Sequence, residues 1–455
     1  MYTCGPTVYH YPTIGNWRTY VLSDLLYRAV TYLGYKVDYV MNLTDVGHLV
    51  SDADSGEDKL EKRAKKEGRT AWEVAKFYSD DFITGFSKLN LIRPKLFCKA
   101  TDHIKEQIEL IEKIEKVGFA YRIDDGIYFD VAGYEKAGNT YGGLSNLDEI
   151  KAGARVELNP QKKDPRDFAL WKFSSRGGTR DLRPSGEKRD MEWDSPWGVG
   201  FPGWHIECSA MSMKYLGEQL DLHVGGEDLR STHHPNEIAQ SEVVTGKIPF
   251  SKYWIHGAFL TVDGGKMGKS LGNAFTIQDI EKRGYDLLAL RYFFLTGHYR
   301  KQLNFTLEAL EGAKTALNKL RYLMVSYREA RGRTQLSEEK LAKIEGFRKA
   351  FCDRVEDDLN FPEALAVVWE MVKSNIADYD KYELLVKFDE ALGLGLSEFR
   401  IEPMVISEEA KALLSRREAL RKERRFEEAD EARGELTKLG YQVMDTELGA
   451  KLEKK

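Results

Sequence analysis

Residues 2–43 read YTCGPTVYHYPTIGNWRTYVLSDLLYRAVTYLGYKVDYVMNL, and this stretch decides the fold. Tyr2 to Cys4 reads as the end of a strand. A turn-rich loop runs from Gly5 to Asn16, punctuated by glycine and proline. Trp17 to Leu33 then reads as a helix, stopped by Gly34. Tyr35 to Leu43 is rich in β-branched and aromatic residues and reads as a second strand. Strand, loop, helix and strand make a βαβ unit, which demands a parallel sheet. Ligands of such sheets collect at the carboxyl ends of the strands. Cys4 and the Gly15 turn lie there after the first strand, Thr44 and Asp45 after the second. The first strand reads as cut short, so a stretch upstream of Met1 is expected to complete it.

Outward from this unit, Ser55 to Leu89 reads as charged amphipathic helices. Ile104, Ile108, Ile111, Ile114 and Val117 keep helical spacing through the next one. Tyr121 to Trp171 reads as short β segments, and Ser174 to Gly203 as a connector rich in Gly, Pro, Arg and Asp. A second α/β half follows, with strands at Leu220–Val224 and Lys252–Leu260. From about Leu303 the pattern is nearly all helical: Leu307, Leu310, Leu317, Leu320 and Met324 share one face, and further helices are expected at Ser337–Asp358 and Pro362–Tyr379. Ser407 to Leu439 reads as one or two highly charged helices.

The 455 residues correspond to about two to four domains. With 42% hydrophobic and 31% charged residues, and no long uncharged apolar run, the composition excludes a membrane-embedded chain. No secretory leader is legible at Met1-Tyr2-Thr3-Cys4. Cytoplasmic localisation is therefore expected. A net charge of −5 argues against a general nucleic-acid coat but leaves room for a local basic face, such as Arg416-Arg417, Arg421-Lys422 and Arg424-Arg425. Cys4, Cys98, Cys208 and Cys352 are widely spaced and form no CxxC pair, so a disulfide framework is not expected.

Three motifs carry chemistry. His233-His234-Pro235-Asn236-Glu237 places a histidine near a helix start, with His233 and Glu237 four apart. Beside Gly225-Gly226-Glu227-Asp228, Trp204-His205-Ile206-Glu207-Cys208 and Cys4, it offers two thiols, one imidazole and one carboxylate. That donor set suits tetrahedral Zn²⁺. Lys266-Met267-Gly268-Lys269-Ser270 follows a strand and can bring two lysines to a triphosphate. It is not a P-loop, because GxxxxGK[ST] is absent. Pro12-Thr13-Ile14-Gly15-Asn16 opens a helix, where backbone amides favour phosphate.

In order along the chain, CGPTVY, the Thr-Ile-Gly-Asn turn, NLTDVGH, FPGWHIECSAM, LDLHVGGEDL, HHPNEIAQSE and KMGKSLGN resemble the cysteinyl-tRNA synthetases, a family of class I aminoacyl-tRNA synthetases. The resemblance implies an α/β fold: a Rossmann-type parallel-sheet catalytic domain split by an inserted domain, then a helical bundle and a small C-terminal anticodon-binding domain. The boundaries it suggests are 1–94 and 200–302 for the two catalytic halves, 95–199 for the insert, 303–400 for the bundle and 401–455 for the anticodon-binding region.

It implies that L-cysteine is activated with ATP, Mg²⁺ assisting, and passed to the 3′ end of tRNA(Cys). It implies one Zn²⁺ per chain on Cys4, Cys208, His233 and Glu237, with His234 off the ligand position. A zinc–thiolate bond would separate cysteine from the nearly isosteric serine, which shape alone does poorly. Lys266 and Lys269 take catalytic roles, Thr13, Gly15, Asn16 and Lys269 contact ATP, and Thr44 and Trp204 line the cysteine pocket. Thr13 and Asn16 stand where the family signature has histidines, so another donor, such as His10, would have to compensate. A monomer with no membrane partner is implied. Two alternatives remain: a related cysteine:amino-sugar ligase, and a non-catalytic RNA-binding paralogue.

Overall fold

The computed structural model describes residues 1–47, 58–144, 159–174, 189–268, 271–330, 337–400, 407–446 and 449–454. They form two compact units, Met1–Ser397 and Glu398–Lys455.

The larger unit is organised by a five-stranded sheet. Its strands are β1 (Tyr2–Thr3), β2 (Val40–Leu43) and β3 (Leu96–Lys99), then β8 (Leu220–Gly226) and β9 (Ser251–Gly257), with β4 to β7 falling between the two groups. The order is β3-β2-β1-β8-β9, and every pairing is parallel. The strand order reverses about β1, the switch point at which doubly wound sheets bind ligands. Tyr2 pairs with Val40 on one side and His223 on the other. A strand flanked on both sides must be apolar on both faces, and Met1, Tyr2 and Cys4 are all buried.

The helix after β1 spans Ile14–Tyr32, three residues earlier than the expected start at Trp17. Thr13 is the reason. Its side chain caps the helix by accepting from the Asn16 amide, and Asn16 reaches back to the Thr13 amide, a reciprocal capping box. The second strand is shorter than expected, beginning at Val40 rather than Tyr35.

Between the halves lies an antiparallel sheet of β4 (Ala120–Ile123), β5 (Gly126–Phe129), β6 (Phe168–Phe173) and β7 (Gly200–Pro202). Ile111 and Ile114 of the helix Ile104–Lys116 close its core against Ile127, Phe129 and Trp171. The expected strand Lys252–Leu260 is two strands: β9 ends at Gly257, and β10 (Leu260–Val262) joins a second small sheet with β11 (Gly265–Lys266) and β12 (Leu303–Phe305). The region after Leu303 therefore opens on a strand before it turns helical.

Four helices follow: Leu307–Arg328, Glu338–Glu356, Phe361–Lys373 and Asp378–Leu392. The end of the last one is fastened to the first helix, Ile14–Tyr32, by buried charge. Asp24, on the first helix, receives Arg28 Nε at 2.8 Å, Arg291 Nη2 at 2.5 Å and the Ile92 amide at 2.6 Å. Arg291 also donates to the carbonyls of Leu392 and Leu89. Gly393 has φ +65°, and a Cβ there would stand 2.4 Å from Arg291 Nη2, so backbone angle and space both require glycine.

The smaller unit has helices Glu408–Lys422 and Phe426–Lys438 and a hairpin, β13 (Tyr441–Thr446) and β14 (Gly449–Lys454). Sequence reading anticipates the helices and not the hairpin. Arg417 is buried, so the basic run is not one continuous exposed face. Cys98 is buried, whereas Cys352 is half-exposed with Sγ 3.4 Å from Glu356 Oε1. No helix among the described residues is long and apolar enough to cross a membrane.

Candidate active site

The residues that sequence reading set together meet at the carboxyl end of the sheet. Cys4 follows β1 and donates its amide to Val224 of β8. Cys208 comes from the helix Trp204–Leu216, and His233 and Glu237 share the helix His233–Thr245 one turn apart. All four are buried, and their ligating atoms lie within 4.8 Å of one another. Cys4 Sγ is 3.7 Å from Cys208 Sγ and 3.6 Å from Glu237 Oε1. His233 Nε2 is 2.9 Å from Glu237 Oε1. Tetrahedral bonds of zinc length place donors about 3.3–3.8 Å apart, so the two sulfur distances already fit. Two soft thiols, an imidazole and a carboxylate in a buried pocket also fit the ion chemically.

A histidine array surrounds the cluster; its members His223 and His256 stand at strand ends near the site, where a structural role is the ordinary expectation. His233 Nδ1 is 2.9 Å from His205 Nδ1. For Nε2 to present a lone pair to a metal, Nδ1 must carry the hydrogen and donate to His205. His223 Nε2 lies 2.9 Å from Glu237 Oε2 and orients that carboxylate. His234 Nδ1 lies 2.7 Å from His256 Nε2, while His234 Nε2 is 3.6 Å from Cys4 Sγ. His234 thus stands beside the cluster, and a second overlapping donor set, Cys4, His223, His234 and Glu237, also gathers.

The electrostatics follow from burial and neighbours. Burial works against charge on His233, but Glu237 and Cys208 outweigh it and raise the imidazole to about 10. Burial alone would push the Glu237 carboxyl up, yet His223 and His233 hold it well below the usual carboxylate range. Burial, helped by His223, lowers His256 to about 4.

A cleft of about 300 Å³ opens beside the cluster, lined by Cys4, Trp204, Thr232, Asp228, Tyr20 and Asn16 among others. That volume sits at the lower end of small-molecule sites. Trp204 packs its ring 4.6 Å from that of His233, joining the cleft wall to the cluster. Asp228, which sequence reading gives no role of its own, stands on the short 3-10 helix Glu227–Arg230 that follows β8.

Other expected residues lie outside this lining. Thr44 is buried and donates to Glu207 Oε2 at 2.9 Å. Thr13 caps its helix. Gly15 faces the KMGKS segment: a Cβ there would meet Met267 Cε at 2.7 Å. The Ile14 amide also donates to the Phe275 carbonyl at 2.8 Å, so the turn is joined through backbone to the segment that follows the KMGKS signature. Lys266 is exposed, with its carbonyl receiving Asn273 Nδ2 at 3.1 Å. Lys269 lies outside the described residues.

Residues 1–315 match the family of class I (C) tRNA synthetase catalytic domains, and residues 405–450 match the cysteinyl-tRNA ligase anticodon binding domain. Cysteine–tRNA ligase 1 of Burkholderia lata is 47% identical, with 99% of this chain and 92% of that protein aligned. Cysteine–tRNA ligase of Treponema denticola is 40% identical over 98% of this chain and 93% of its own length. A Mycobacterium tuberculosis methionyl-tRNA synthetase with methionyl-adenylate shares the fold at TM-score 0.54 and 15% identity, covering 87% of this chain and 89% of that one. With a switch-point cleft, a buried Cys/His/Glu cluster and this degree of likeness, the chain belongs to the cysteine–tRNA ligase family of class I aminoacyl-tRNA synthetases, a family of ligases.

Proposed function

We propose that this chain joins L-cysteine to tRNA(Cys) in two steps, with zinc selecting the substrate thiol. The carboxylate of cysteine attacks the α-phosphate of ATP, forming the adenylate and releasing pyrophosphate. The terminal ribose hydroxyl of the tRNA then attacks the acyl carbon and releases AMP. The observation that carries the reading is the convergence of Cys4, Cys208, His233 and Glu237 beside the switch-point cleft, whose wall Cys4 forms in part.

Neither step needs a side-chain nucleophile, so positioning and charge supply the catalysis. Cys4, Cys208, His233 and Glu237 would hold the metal, which when bound binds the substrate thiol as thiolate and disfavours a serine hydroxyl. His205 and His223 fix the ring of His233 and the carboxylate of Glu237. Trp204 walls the amino-acid pocket, and Asp228 is placed to receive the ammonium group. Thr44 acts from behind the wall through Glu207. The turn at Gly15 and Asn16 would approach the phosphates, assisted by Lys266 and Lys269, with Mg²⁺ bound to the nucleotide. The match of residues 405–450 favours tRNA over an amino-sugar as acceptor.

Cysteine-dependent exchange of labelled pyrophosphate into ATP, followed by charging of tRNA(Cys), tests the reading. One zinc per chain and both activities are expected. Exchange without charging would favour the amino-sugar ligase, and a zinc-loaded protein with neither activity would reject both. Cys208→Ser is expected to lose zinc by elemental analysis, and retention of a full equivalent would reject the ligand set.

A further inference from the structure

The turn that opens the first helix spends its two signature side chains on each other. Thr13 Oγ1 donates to Asn16 Oδ1 at 2.8 Å and accepts from the Asn16 amide at 3.3 Å, and the Thr13 amide donates to the same Oδ1 at 2.9 Å. Phosphate oxygens accept hydrogen bonds and need donors. Of this pair, only Asn16 Nδ2 remains to donate.

The adjoining cleft carries two basic side chains in its described lining, His10 and Lys59, against one carboxylate, Asp228. His10 sits three residues before Thr13 in the same turn, so it shares that end of the cleft. It is firmly placed. Its ring lies parallel to that of Tyr78, at 7° and 6.2 Å between centroids, and meets Tyr11 edge-on at 6.1 Å. Tyr78 is itself fixed, because its hydroxyl receives Arg63 Nη2 at 2.6 Å and donates to Glu67 Oε1 at 2.8 Å. His10 Nδ1 lies 3.0 Å from the Tyr11 carbonyl. A carbonyl only accepts, so Nδ1 carries a hydrogen, and Nε2 becomes a donor when the ring is protonated.

We propose that His10 is a catalytic residue of the activation step, donating to the polyphosphate of ATP in place of the donors that Thr13 and Asn16 spend on capping the helix. The assignment rests on the adenylate-forming reading above. His10→Phe keeps the ring against Tyr78 and removes the donor, whereas His10→Gln restores an amide that can donate. His10→Phe is expected to slow cysteine-dependent pyrophosphate exchange by about 10²–10³-fold, the usual effect of deleting one transition-state donor. Its melting temperature, zinc content and cysteine affinity should match the parent, and His10→Gln should recover part of the rate. Exchange by His10→Phe within about threefold of the parent would overturn the proposal, on the same scale of effect. So would equal losses of stability and cysteine binding, which would make the ring structural. If the parent itself shows no exchange, the adenylate-forming reading fails. His10 is then decided by equilibrium dialysis with ATP, where unchanged affinity in His10→Phe overturns its assignment.

Discussion

Replacing Asp24 with asparagine tests how the site-bearing helix is held. Asp24 is 1% exposed and Arg291 is fully buried. The substitution keeps shape and volume but removes the charge that answers two guanidinium groups and the Ile92 amide. One carboxylate oxygen becomes an NH₂ facing donors. Removing one partner of a buried ion pair costs about 3–5 kcal/mol, because the other charge stays desolvated. Three backbone carbonyls still accept from Arg291, those of Leu392, Leu89 and Asn90, which places the expectation near the lower bound. The unit Met1–Ser397 has an unfolding entropy of about 0.8 kcal/mol/K at the usual 2.1 cal/mol/K per residue, so the loss converts to about 4–6 °C in melting temperature. Differential scanning calorimetry at fixed ligand and zinc concentration reads it. Asp24→Leu with Arg291→Met, which removes the fully buried pair and leaves Arg28 on the Glu390 and Asn90 carbonyls, should melt higher than Asp24→Asn. An Asp24→Asn protein melting within about 1 °C of the parent would refute the reasoning, since it would put the loss below about a third of its expected size.

Two further outcomes follow from the site. Lys269→Ala should slow adenylate formation in rapid-quench measurements far more than it weakens cysteine binding, and equal weakening of both would reject its role at the phosphates. Burial raises the Asp45 carboxyl from 3.8 to about 6, against the opposing effect of the Thr101 hydroxyl and amide that donate to it. The folded state then holds the proton more tightly than the unfolded state, and stability falls as pH rises from about 4 to 6. Asp45→Asn should flatten that part of the profile, worth about 3 kcal/mol, and parallel profiles from pH 4 to 7 would count against it.

Much of this was legible in order and spacing. The βαβ unit follows from apolar runs and Gly34, and the helices Ile104–Lys116 and Glu338–Glu356 end close to their expected limits, whereas the helix expected over Pro362–Tyr379 stops at Lys373 and a new one begins at Asp378. Errors fall where two signals compete. The resemblance makes Thr13 and Asn16 ligand contacts, and they also form a capping box, so the helix starts earlier than the apolar pattern shows. The β9–β10 break is hidden because Gly257 and Ala258 do not interrupt an otherwise β-rich run. The four clustered donors were named in advance, but their meeting could not be, since parallel pairing between positions far apart leaves no local trace. The histidine array was only partly legible: the strand ends at His223 and His256 point to the site's neighbourhood, but His205, His223 and His256 sit on three separate elements, and only the fold brings them around the cluster. Asp228 was quoted with its glycines but given no role, because nothing local separates a cleft carboxylate from a turn-forming one.

The two-residue β1 at the centre of the sheet also sets a schedule. Tyr2 finds its second neighbour, His223, only after 221 more residues have been made. At typical synthesis rates of about 5–20 residues per second, that interval lasts roughly 10–45 seconds. During it one edge of the central strand has no partner, which makes the nascent chain dependent on shielding from other strand edges. Cys4 is on the same segment, so its thiol waits out the interval before Cys208, His233 and Glu237 can take their places around it. For this chain, translation speed across the insert and protection of one early cysteine belong to the same problem.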